Sequence, residues 1–91
     1  MTYAEANAAR EALEAQFDEA CVTYRAALTA FRRSKSAKNF AALHEAEATH
    51  ERLAAQTLAA CDVAARVHSA EVRAARIAAR PAAPVQLALF A

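Results

Sequence analysis

Arg32-Arg33-Ser34-Lys35-Ser36-Ala37-Lys38-Asn39 is the one polar break in the first 80 residues. Before it, helix-compatible residues run without interruption from Tyr3 to Arg33; after it they run to Arg80. Ser34, Ser36 and Asn39 are each suited to cap the second run. The break is short, with the connection itself at about 34–37, and a link of that length makes two helices antiparallel neighbours. The expectation is an all-α protein, a long antiparallel helical hairpin with helix 1 over about 3–33 and helix 2 over about 37–80.

Composition points the same way. The chain has 91 residues, 30 of them alanine, and neither glycine nor tryptophan. Glycine supplies the positive-φ positions of phosphate loops and tight hairpins, so P-loops, Rossmann turns and Asn-Gly hairpins are excluded. Alanine is the best helix former and a poor strand former. It also inflates the hydrophobic fraction of 57%, since only twenty side chains are large and apolar. One core of that size is marginal for a monomer.

Working outward from the break, Thr2-Tyr3-Ala4-Glu5 reads as a capping box with Thr2 as N-cap and Glu5 at N3. In helix 1 the larger apolar residues fall at Leu13, Phe17, Cys21, Tyr24, Leu28 and Phe31, one stripe close to a heptad seam. In helix 2 they are Phe40, Leu43, Leu53, Leu58, Val63, Val67, Val72 and Ile77, more loosely spaced, with alanine filling the rest. Pro81 stops this helix at the residue before it. Each helix begins acidic and ends basic, which suits its macrodipole, and laid antiparallel the acidic halves face basic halves. Helix 2 should overhang helix 1 by roughly ten residues, or about 15 Å. An alanine-rich overhang without a neighbour argues for a homodimer, two hairpins forming a four-helix bundle.

The tail reads Pro81-Ala82-Ala83-Pro84-Val85-Gln86-Leu87-Ala88-Leu89-Phe90-Ala91. Two prolines favour an extended, solvated linker. Three large apolar residues, Leu87, Leu89 and Phe90, then stand at the end of the chain, where a terminus frays unless something binds it. Gln86-Leu87-Ala88-Leu89-Phe90 resembles the pentapeptide, usually Gln-Leu-(Ser/Asp)-Leu-Phe, by which bacterial replication and repair proteins bind the sliding clamp (the β clamp). Four positions match, and Ala88 departs at the most tolerant one. The resemblance covers five residues and no family is identified for the helical part. It implies that Gln86 is a polar anchor at the edge of one subsite, that Leu89 and Phe90 fill a deep apolar subsite, and that Leu87 packs between. Four fixed residues occur by chance in such a chain on the order of once in a thousand, and tolerated variants raise that to about one in a hundred.

Other signals are weaker. Glu47-Ala48-Thr49-His50 is a Glu-x-x-His unit of the kind di-iron bundles use twice. Only one copy exists, because Ala65 stands three before His68, so Glu47 and His50 are taken as a solvated helix face and no metal or cofactor is expected. Cys21 and Cys61 lack zinc or CxxC spacing and, offset along the hairpin, should not pair. Arg32, Arg33, Lys35 and Lys38 crowd the hairpin tip as possible phosphate contacts, and Arg66, Arg73 and Arg80 recur every seven residues. A net charge of +1 gives nucleic-acid binding little support. No nucleophile–base–orienter set exists, so no enzyme is expected. With no leader pattern or membrane-length apolar run, the expected location is cytoplasmic. The function expected is a non-enzymatic adaptor or regulator of the sliding clamp. The alternative is a structural or nucleic-acid-binding hairpin whose apolar tail packs back on the bundle.

Overall fold

A computed structural model describes residues 1–80 and shows the hairpin: α1 spans Tyr3–Arg33, α2 spans Ala37–Ala78, and the two pack antiparallel. No strand occurs among the described residues. The 42 residues of α2 make a rod about 63 Å long.

The start of α1 is fastened twice. Thr2 is extended and its Oγ1 accepts the Glu5 amide, while the Glu5 carboxylate accepts the Thr2 amide, both at 3.2 Å. The capping box read in the sequence is therefore present. The amide of Tyr3 is another of the donors a helix start leaves without an intrahelical partner. It donates to Oε1 of Glu71 on α2 at 2.8 Å. A carboxylate from the opposite helix thus sits at the positive end of α1.

The connection is Ser34-Lys35-Ser36, and it turns without any residue at positive φ. Ser34 and Ser36 are both extended. Ser36 caps α2, its Oγ accepting the Asn39 amide at 3.1 Å. The Asn39 side chain then reaches back, donating to the carbonyls of Ser34 at 2.7 Å and Ala30 at 3.3 Å. Asn39 thereby gives the cap carbonyl of Ser34 a partner and adds a second donor to the Ala30 carbonyl, which already accepts the Ser34 amide. At the far end α2 stops at Ala78, two residues earlier than Pro81 alone predicts. The Arg80 amide bonds the Ile77 carbonyl at 3.2 Å, a tightened last turn ahead of a residue that proline bars from the helical region.

The seam is a heptad on both helices, and it differs from the apolar stripes read in the sequence. On α1, Tyr3, Arg10, Phe17, Tyr24 and Phe31 alternate with Ala6, Leu13, Ala20 and Ala27. Cys21 and Leu28 are displaced to one flank, half-buried. On α2 the same spacing runs through Leu43, Ala46, His50, Leu53, Thr57, Ala60, Ala64 and Val67. Leu58 stands outside it, 71% exposed, with Phe40, Val63 and Ile77 also exposed. The buried residues among those described are Ala6, Ala20, Leu43, Ala46, Leu53 and Ala64, four of the six alanine. His50 is not on a solvated face: its ring lies half-buried between Phe17 at 4.9 Å and Tyr24 at 5.5 Å. The Thr57 hydroxyl donates to the Leu13 carbonyl, and Phe31 meets Phe40 near the tip.

The expected facing of acidic and basic halves produces no ion pair between the helices. Among the described residues Arg10–Glu14, His44–Glu47 and Asp62–Arg66 each stay within one helix. Arg10 occupies a seam position yet points along α1, bonded to Asn7 and Glu14. Both cysteines are free thiols, on different levels of the hairpin.

Candidate functional site

Three features of the molecule can meet a partner: the tip, one flank of the seam and the segment beyond Arg80.

The tip gathers charge of one sign. Arg32 and Arg33 close the last turn of α1, Lys35 lies in the connection and Lys38 opens α2. All four are exposed, and none joins an ion pair among the described residues. With Arg25 they are the charged residues of 20–44, which hold no Asp or Glu. The far end is similar in sign, since residues 72–80 carry Arg73, Arg76 and Arg80 and no acid. All ten acidic residues lie between these ends, against Arg10, Arg52 and Arg66. The rod is basic, acidic and basic again along its length. The small net charge conceals this order. Lys38 at the α2 start sits against the dipole preference for an acid there.

The two flanks of the seam are unequal. One is filled by Glu14, Cys21 and Leu28 from α1 with Glu47, Ala54 and Cys61 from α2, all half-buried. The other carries small or neutral residues and stays open as a groove of about 710 Å³. Its floor is Ala20, Ala27, Ala46 and Leu53, and its rim includes Glu19, Glu45 and Arg52. Side-chain size explains the difference: Thr23, Ala26, Ala42 and Thr49 leave the space that cysteine, leucine and glutamate occupy opposite. The periodicity of large apolar residues gives no sign of this groove, because small residues form it.

Gln86, Leu87, Leu89 and Phe90 lie outside the described residues. What the fold fixes is their origin. α2 ends at Ala78, and the chain leaves from the end of the hairpin opposite the tip. Among the described residues there is no group of three His, Cys, Asp or Glu able to hold a metal ion, and no helix is long and apolar enough to cross a membrane. The chain matches no family model, no curated protein and no solved structure.

Proposed function

We propose that the protein is a non-enzymatic adaptor or regulator of the bacterial sliding clamp, which it binds through Gln86, Leu87, Leu89 and Phe90. One observation carries this reading: four of the five residues of Gln86-Leu87-Ala88-Leu89-Phe90 match the clamp-binding pentapeptide. The setting supports it. Pro81 and Pro84 separate the peptide from the helical rod, and a peptide with three apolar anchors and one orienting amide suits a pocket mode of recognition. Burying three large side chains gives about 5–7 kcal/mol gross, from which ordering the tail subtracts, so micromolar affinity follows. Polymerases and repair factors share that pocket, so occupancy recruits to the clamp or competes with its clients. The test is a titration of the full chain against the clamp. Gln86→Ala should weaken binding and Leu89→Ala/Phe90→Ala should abolish it; full-strength binding by the double variant sinks the proposal.

The charge order of the rod favours a second reading, a helical hairpin that contacts phosphates through Arg32, Arg33, Lys35 and Lys38, with the tail packed back. Ten residues from Pro81 to Phe90 span at most about 35 Å, which reaches back along α2 no further than about Thr57. Leu58 lies inside that range and is exposed. Deleting 85–91 separates the two. Under the first reading truncation removes clamp binding and leaves the melting temperature unchanged. Under the second it lowers the melting temperature and leaves a salt-sensitive nucleic-acid affinity.

A further inference from the structure

The open groove is the place where the packing of the hairpin is unfinished. On its flank neither helix presents a charge at the positions nearest the seam, which are Gln16 and Thr23 on α1 and Ala42 and Thr49 on α2. Charges begin one step further out, at Glu19, Glu45 and Arg52. Glu45 and Arg52 stand seven residues apart on one column of α2, both exposed, and neither enters an ion pair among the described residues. The groove spans residues 16–27 of α1 and 42–53 of α2. It therefore straddles the point where the basic tip gives way to the acidic middle, at Glu19–Ala20 and at His44–Glu45.

We infer that the groove is the interface for a second copy of this chain, packed antiparallel about a two-fold axis that crosses α2 between Ala48 and Thr49. That axis places Glu45 of each copy opposite Arg52 of the other. It lays the tip of each hairpin, which has no acid, over the acidic middle of its partner. The small residues of the flank let the helices approach closely. Every neighbouring pair of helices in the resulting four-helix bundle is antiparallel, the up-and-down arrangement that short connections favour. A parallel pairing on the same face sets two basic tips side by side, with no acid between residues 20 and 44 of either copy to offset them. Other occupants fit less well. The chain's own tail stops short of the groove centre, since about 35 Å of reach from Pro81 ends near Thr57. A polyanion meets Glu19 and Glu45 on the rim.

The experiment is sedimentation equilibrium of the full chain, combined with charge exchange and cross-linking. The native chain should sediment at twice the monomer mass of 9.7 kDa. Glu45→Arg and Arg52→Glu each place like charges together at two symmetric positions and should weaken the dimer by about tenfold or more. Because both residues are exposed, helicity should be unchanged. Glu45→Arg/Arg52→Glu restores opposite charges and should recover the dimer. In a Cys21→Ser/Cys61→Ser background, Thr49→Cys should form a disulfide-linked dimer on its own, the two Thr49 positions flanking the axis. A chain that stays monomeric at hundreds of micromolar overturns the inference. So does a double variant no better than the singles, or a Thr49→Cys chain that cross-links only when mixed with Thr23→Cys, as the parallel pairing requires.

Discussion

Single side chains make the ends of these helices. Thr2 and Glu5 satisfy each other's amides, and Glu71 takes the next one. The Thr2 amide and hydroxyl, with the nearby N-terminal charge, hold the Glu5 carboxyl below its ordinary value of 4.5. A carboxyl whose pKa is lower when folded stabilises the folded state above its unfolded pKa. That contribution is lost as pH falls through the folded value. Helix unfolding followed by circular dichroism should therefore show α1 weakening on acidification below about 4.5. Thr2→Ala should remove that part of the acid dependence and cost about 1 kcal/mol at neutral pH. Asn39→Ala strips two hydrogen bonds from the turn and should also cost about 1 kcal/mol, or some 4–8 °C in melting temperature. A loss of less than about 1 °C would show that water replaces the asparagine without penalty.

At the scale of the helix the decisive quantity is which residue occupies each seven-residue step. Leu53 fills one such step and is 6% exposed, so Leu53→Ala should destabilise by about 2–5 kcal/mol in thermal or urea unfolding. Leu58 is the same residue type at 71% exposure, and Leu58→Ala should stay within about 0.5 kcal/mol. The contrast between these two leucines also explains what the sequence could and could not reveal. The caps at Thr2 and Ser36, the connection and the antiparallel pairing are legible because each rests on local chemistry. The seam is only half legible. Leu13, Phe17, Tyr24 and Phe31 mark it, but Ala20 and Ala27 hold the steps that Cys21 and Leu28 seemed to claim. On α2 the steps fall on His50, Thr57, Ala60 and Ala64, none a large apolar residue, while large ones such as Leu58 sit outside. In a chain so rich in alanine the seam is set by how small side chains nest between helices. The cations of the tip are visible in the sequence as a list. Their isolation from every acid appears once residues 20–44 are folded against each other.

For the molecule as a whole, charge order and length act together. The paired form proposed above places the two Arg80 residues at opposite ends, about 95 Å apart, because each lies about 48 Å from the axis. Two tails so separated reach two distant partners more readily than two sites on one. Crossing charged zones also makes the pairing sensitive to ionic strength. The dimer dissociation constant should rise with added salt, by several-fold between about 0.05 and 0.5 M, as screening shortens from more than 10 Å to a few. A constant indifferent to salt would mean that apolar packing alone holds the copies.

The three-residue connection has a further effect, on the order in which the hairpin opens. Contacts beside it, such as Phe31 with Phe40, close a short loop, whereas Tyr3 with Glu71 closes almost the whole hairpin. Loop-closure entropy rises with that separation, so the hairpin zips from the tip outward and unzips from the other end. Amide exchange should be slowest around Leu43 and Leu53 and quicken toward Tyr3 and Ala78. The clasp between Tyr3 and Glu71 is then the last contact made and the first released. It lies at the same end of the rod from which the pentapeptide departs, so a partner pulling on the tail works against the weakest part of the fold.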